Sequence, residues 1–284
     1  MNCMKILTAL LLPLALACGV SSAQAQSAES VEALLDKALA GDHRSEANRA
    51  RDKYRHPRET LLFFGLKPEM TVLEIWPGSG WYSEIIAPVL AQNGKFYLAH
   101  YAVENPRTVN WQREARSKLE SDYAKRPALY GKPIFTSLGP PDYLAIAPAG
   151  SLDMLLTFRN VHNWSLQKTD TLVFKTFFDA LKPGGILGVV EHRANAGTSF
   201  EQMVKTGYMT EAYVIELAQK AGFKLLAKSE VNANPKDTKD HPNGVWTLPP
   251  TSRGRLDPEK YSAIGESDRM TLKFEKPAQN TVAR

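Results

Sequence analysis

The stretch Val72–Glu84, VLEIWPGSGWYSE, decides how the chain is read. Three apolar residues, Val72, Leu73 and Ile75, flank the acidic Glu74 and run into Pro77-Gly78-Ser79-Gly80, after which the residues suit a helix. The order is strand, tight turn, helix. Gly78 and Gly80 permit backbone with φ > 0 and leave no Cβ between the chain and a ligand. The helix that follows aims unpaired N–H groups at the same space. Two readings stay open from these residues: a cofactor-binding turn, or plain punctuation between a strand and a helix.

The alternation continues on both sides. Upstream, Val31, Leu34, Leu35, Ala38 and Leu39 have helical spacing and stop at Gly41. A charged stretch, Asp42 to Arg58, reads as a solvated helix face or as a segment that folds over the glycine turn and brings Arg or Tyr to a ligand. Pro57 starts a helix that closes at Gly65. Downstream, a helix over 81–92 carries Pro88, which predicts a kink. Strands are predicted over 96–101, 133–138, 151–158, 186–190, 223–231 and 270–276. Helices are predicted over 107–125, 169–181 and 208–221, with a polar loop over 232–268. The pattern predicts an α/β fold: a doubly wound, mostly parallel seven-stranded sheet with extra N-terminal helices. Ligands of such sheets lie at the carboxyl ends of the strands, near the switch point. The glycine turn, Tyr101 to Pro106, Arg159 to Trp164, and Glu191-His192-Arg193 should therefore converge.

The 284 residues, 43% hydrophobic and 23% charged, suit one globular domain with a full core. Lys5 and the apolar run Ile6 to Ala17, followed by Ala23-Gln24-Ala25, predict a signal peptide over 1–25 cleaved after Ala25, and so a periplasmic or secreted protein. Lipid modification at Cys18 is the rival. The run is too short for a convincing membrane span, so no stable membrane insertion is expected after cleavage. Both cysteines, Cys3 and Cys18, fall in the leader, which excludes disulfide and thiolate chemistry from the mature chain. A formal net charge of +5, with no basic run interleaved with aromatics, gives no reason to expect nucleic acid. The remaining divisions are a helical segment (26–66), the main domain (67–277) and a tail (278–284).

Val72–Ser83 resembles the first motif of the class I S-adenosylmethionine-dependent methyltransferases. Ser151–Phe158 resembles the fourth strand of that family, and Leu181–Val190, LKPGGILGVV, its approach to the fifth. The resemblance spans roughly Arg49 to Pro277. The stretches HPRETLLFFGLKP, PGSGWYSE, FRNVHNW and VEHR look like a bacterial group of predicted exported methyltransferases. The family's glycine turn cradles the methionine part of its cofactor. The resemblance thus implies S-adenosylmethionine as cofactor and methyl transfer to a small molecule, with Glu74, Gly78 and Gly80 as the cofactor-turn residues. Tyr82, Tyr101, Glu104 and Asn160 are further cofactor-binding candidates. Trp76 stands where the family has its first glycine, and either narrows the methionine pocket or stacks on a ligand. The family's acidic residue at the end of the second strand, for the ribose hydroxyls, falls here at His100 or Tyr101, with Glu104 the nearest carboxylate.

Methyl transfer mainly needs alignment of nucleophile, methyl and sulfur, with a base only when the acceptor must lose a proton. His162, Glu191 and His192 are the catalytic candidates, each just past a strand end; a loop histidine bonded to backbone is the plainer alternative. No HxxxH-type spacing supports a metal site, and none is expected. Three functions stay open: a methyltransferase acting on a small molecule; a methyltransferase fold reused in the periplasm as a non-catalytic ligand-binding module, with Trp76 refilling the methionine pocket; and hydrolysis or lyase chemistry at His192 and Glu191.

Overall fold

The computed structural model describes Met1 and residues 29–278. All but the first residue of the expected leader, with both cysteines, and all but the first residue of the expected tail lie outside the described residues. Seven strands, β1 (Thr71–Ile75), β2 (Lys95–Tyr101), β3 (Ile134–Leu138), β4 (Leu152–Phe158), β5 (Leu181–His192), β6 (Lys224–Ser229) and β7 (Arg269–Glu275), form one sheet. Their order is β3-β2-β1-β4-β5-β7-β6. Strands β1 to β5 run parallel, and β7 lies antiparallel between β5 and β6. The predicted doubly wound sheet is present, and the direction of winding reverses between β1 and β4.

Side chains on a strand alternate between faces, and both faces of this sheet are covered. Leu73 and Ile75 of β1 join Leu155, Phe174 and Phe177 in one buried cluster. Val72 joins Leu98, Met154, Leu156 and Phe64 in the other. Gly188 of β5 has a packing reason: a Cβ there would sit 2.9 Å from the Phe64 ring and 2.7 Å from Leu156. A strand glycine at such a close approach lets the helix Pro57–Phe64 lie on the sheet.

The N-terminal segment is tied down next to the glycine turn. Pro88 lies inside the helix Ser83–Leu90 and has no N–H to give the Glu84 carbonyl. That carbonyl receives the His43 Nε2–H instead, at 2.9 Å. Arg44 Nε and Asn48 Nδ2 donate to the Glu84 carboxylate at 2.8 and 2.9 Å. The helix Val31–Ala40, capped by Ser30, packs Leu35 and Ala38 into the same face.

Other elements differ from expectation. β5 begins at Leu181, which pairs with Leu152 across a register shift around Lys182–Gly185. Pro183 and the two glycines sit in that irregularity rather than ending a helix ahead of the strand. The polar loop expected over 232–268 contains the helix Pro258–Ile264 and a 3₁₀ turn, Gly244–Thr247. No helix among the described residues is long and apolar enough to cross a membrane.

Candidate functional site

The turn after β1 holds three left-handed residues: Trp76 (φ +44°), Gly78 (+60°) and Gly80 (+83°). The two glycines adopt this conformation freely. Trp76, standing in place of the family's glycine, pays a backbone penalty of about 1 kcal/mol or more, and its ring shows what holds it there. The indole N–H donates to the Leu138 carbonyl at the end of β3, at 2.9 Å. The ring packs 5.3 Å from Tyr101 and 5.5 Å from Trp164, centroid to centroid. Aromatic pairs in this range are worth about 0.5–1.5 kcal/mol each beyond the area they bury. Trp76 thereby lies across the tips of the strands and divides the cleft in two.

On the β2–β3 side is a cavity of about 400 Å³, lined in part by Trp76, Tyr101, Asn105, Gln112 and Gln167. On the β4–β5 side is a cleft of about 320 Å³. The glycine turn, Arg51, Arg55, Arg159, Asn160, His162, His192 and Arg269 line it. Trp246, Pro249 and Pro250 bring the 232–268 segment against it. Asp237 fastens that segment: its carboxylate accepts from Tyr208 Oη at 3.0 Å, His241 Nε2 at 2.8 Å and the Asp268 N–H at 2.8 Å.

The cofactor-turn candidates do not all reach the cleft. Glu74 is buried and accepts from Ser83 Oγ at 2.6 Å. Burial, partly offset by Ser83 and Arg159, pushes its pKa up to about 8. It therefore carries its proton at neutral pH and offers no carboxylate to a ligand. Tyr82 is also buried: its ring stacks 3.6 Å from that of Phe158 and its hydroxyl donates to the Arg55 carbonyl at 3.2 Å. Tyr82 supports Arg55 and is removed as a cofactor contact. Glu104 receives Ser137 Oγ at 3.4 Å on an exposed edge.

At the ribose place, His100 is fully buried. Its Nδ1 accepts the Tyr101 N–H at 2.8 Å, so Nε2 carries the proton and donates to the Gly78 carbonyl at 3.0 Å. Burial lowers its pKa to about 4. Tyr101 borders the other cavity, and burial pushes its hydroxyl up to about 12. The family's cofactor arrangement does not fit these residues. The diol-binding carboxylate has been replaced by a histidine bonded back onto the glycine turn, and an indole lies across the path from β1 to β2. Asn160 does line the cleft, with Nδ2 donating to the Ile75 carbonyl at 3.1 Å.

The three catalytic candidates do come together. Glu191 is fully buried; its carboxylate accepts from the Val161 N–H (2.6 Å), the His192 N–H (2.8 Å) and His162 Nδ1–H (3.0 Å). His192 Nδ1 pairs with Ser267 Oγ at 2.6 Å. The two imidazoles lie 5.4 Å apart. Burial, and then His162 and the nearby arginines, hold the His192 pKa well below its ordinary value, so it is neutral. Ligand atoms of His162, Glu191 and His192 fall within 4.8 Å of one another. Sheet topology rather than helix spacing assembles this trio, which is why a search for HxxxH misses it. The guanidinium groups facing it make it a poor seat for a divalent cation.

Those guanidiniums were only partly legible. Glu266 Oε1 accepts from Arg51 Nε at 2.6 Å, and Oε2 accepts from Arg55 Nε at 2.9 Å and from Arg269. The single carboxylate leaves Arg51 Nη2, Arg55 Nη1 and Nη2, and Arg269 Nε buried without a hydrogen-bond partner among the described residues. Arg55 also lies over the Trp81 ring, at 4.6 Å. Burial, then Arg269, lowers the Arg159 pKa to about 10. Arg193, expected beside Glu191 and His192, leaves the cleft and pairs with Asp268, Glu211 and Glu230. Arg51 and Arg55 come from the charged stretch that had two readings, and here it folds over the turn. Arg269, Glu266 and Ser267 were missed; the charged run GESDR at the head of β7 was the available signal.

No family model matches the sequence, and no curated protein matches it significantly. Solved structures do resemble the fold. The [4+2]-cyclase SpnF aligns with a TM-score of 0.54 at 17% identity, over 84% of this chain and 85% of its own. A SAM-dependent methyltransferase from Methanosarcina mazei aligns with a TM-score of 0.50 at 14% identity, over 77% of this chain and 98% of its own. At such identities the likeness is one of fold alone, and one fold here carries both names. The architecture is the Rossmann-like, mostly parallel seven-stranded sheet of the class I methyltransferases.

Proposed function

We propose that this chain binds a small acidic molecule in the cleft between the glycine turn and the 232–268 segment, on a methyltransferase fold whose cofactor path is closed by Trp76. One observation carries the reading: four arginines line the cleft, and guanidinium nitrogens of Arg51, Arg55 and Arg269 are buried without partners among the described residues. Buried polar groups without partners are costly, at about 1–3 kcal/mol each and more for charged ones. An anionic ligand removes that cost when it binds. Glu191 pairs with His162 Nδ1, which fixes the ring and leaves Nε2 as the nitrogen available to a ligand. His192, held neutral, is the second imidazole there. The pair supplies the groups for proton transfer to or from a bound ligand. With residues 1–25 read as an export signal, this binding belongs to the periplasm.

The test is a thermal-shift panel of organic anions beside their neutral and cationic analogues. Anions should raise the melting temperature, since a ligand at a hundred times its Kd adds about 2.7 kcal/mol. A shift with neutral or cationic compounds and none with anions would overturn the proposal.

Methyl transfer to a small-molecule acceptor is the second reading. It is favoured by the fold and by the turn, where a Cβ on Gly78 would meet nothing within 4 Å. It requires the Trp76 indole to leave the Leu138 carbonyl. Calorimetric titration with S-adenosylhomocysteine decides it, and micromolar binding to the wild-type chain would restore it.

A further inference from the structure

Resting on the acidic-ligand reading above, we infer that the acidic group is a phosphoryl dianion, a phosphate monoester, seated between the glycine turn and Arg51, Arg55, Arg159 and Arg269. Four guanidiniums line or border the cleft, and the carboxylates set against them are Glu266, which touches three of them, and Glu191, behind the histidines. Glu74, the third carboxyl nearby, is protonated. The excess is two positive charges, which a monoester dianion cancels and a single carboxylate does not.

A carboxylate has two oxygens in one plane, whereas a phosphoryl group presents three around a tetrahedron. The cleft offers donors from three separate parts of the fold. Arg51 and Arg55 come from the N-terminal helices. Arg159 and Arg269 come from the end of β4 and the start of β7. The N–H groups of Gly78 and Ser79 belong to the turn and have no partner among the described hydrogen bonds. Consecutive backbone N–H groups in a left-handed turn, ahead of a helix, are a recurrent phosphate seat. Arg55 is 1% exposed, and both its terminal nitrogens are unpartnered among the described residues. Asn160, His162, His192 and Trp246 then face the rest of the ligand.

The test is isothermal titration of the full chain, in a phosphate-free buffer, with glycerol phosphate, inorganic phosphate, a dialkyl phosphate diester, succinate and acetate. The monoester should bind at least tenfold more tightly than the diester, which keeps the tetrahedron but has one charge. It should likewise exceed succinate, which has two charges but no tetrahedron. Inorganic phosphate binding as tightly as the monoester would assign the site to the free ion, within the same chemistry. Arg159→Gln should weaken monoester binding at least tenfold with the fold kept. Arg126→Gln, a surface change, should not. Succinate or acetate binding as tightly as the monoester would sink the phosphoryl assignment and leave the acidic-ligand reading standing. No heat with any anion would remove both.

Discussion

Arg159→Gln should make the ligand-free protein more stable. Arg159 follows β4 with φ of +63°; its side chain has no hydrogen bond to any described residue, and the repulsion of Arg269 outweighs the attraction of Glu266. Burial, then Arg269, brings its pKa from the ordinary 12.5 to about 10. The sign follows from linkage. At neutral pH the residue is charged in both states, and the folded state, which holds the proton less firmly, carries the whole penalty. At about 1.4 kcal/mol per tenfold change, the ceiling is roughly 3 kcal/mol. The side chain keeps solvent access along the cleft, and screening reduces this to about 1–2 kcal/mol. Glutamine keeps the backbone conformation at no added strain and removes the charge. For a chain of this size each kcal/mol moves the melting temperature by about 2–4 °C. Calorimetry in phosphate-free buffer should therefore show a rise of about 2–8 °C, whereas a surface substitution such as Arg126→Gln stays within about 0.5 kcal/mol of wild type. A fall in melting temperature would refute the reasoning, because it would mean that Arg159 already has a stabilising partner inside the protein.

Three further outcomes follow from the same geometry. Glu74 has a folded-state pKa of about 8, raised chiefly by burial, so its stabilising contribution is complete below about pH 4.5 and is lost as pH rises towards 8. Denaturant titrations from pH 5 to 8.5 should show wild type losing a few kcal/mol more than Glu74→Gln; parallel profiles would contradict this. His100, lowered to about 4 by burial, favours the fold above its ordinary value of 6.5 and ceases to do so as pH falls from 6.5 towards 4. Its imidazole NMR signals should accordingly remain those of a neutral ring at pH 5, and a midpoint near 6.5 would show that the ring is not sealed from water. Trp76→Gly restores the family's residue, removes two aromatic contacts at a cost of about 3 kcal/mol, and opens the cleft. It should gain affinity for S-adenosylhomocysteine; equal affinity in wild type would show that the indole is no barrier.

The sheet was legible because its signals are local and repeated. Apolar runs such as Ser151–Phe158, stop signals such as Gly94 and Gly222, and the turn at Gly78–Gly80 each report their own neighbourhood. The meeting of His162 with Glu191 and His192 followed from placing residues at the carboxyl ends of parallel strands. The same rule failed for Arg269, Ser267 and Glu266. β7 runs antiparallel, so its first residues, not its last, reach the ligand edge, and His192 pairs with Arg269 in register. Arg193 failed for a different reason: side chains alternate across a strand, and the residue after His192 leaves the cleft for Asp268. The role of Trp76 was foreseeable as a departure, but the direction of its ring depends on the Leu138 carbonyl and on Tyr101 and Trp164, far away in sequence. The protonated state of Glu74 was not readable at all, since it depends on how completely the folded chain seals that carboxyl from water against the opposing pull of Ser83 and Arg159.

The most direct test of the account is a crystal structure of the full chain grown with both S-adenosylhomocysteine and a phosphate monoester present. The account predicts a tetrahedral anion within hydrogen-bonding distance of Arg55 and Arg159, with the Trp76 indole still on the Leu138 carbonyl. A nucleoside lying across the tips of β1 and β2, with that indole displaced, would contradict it.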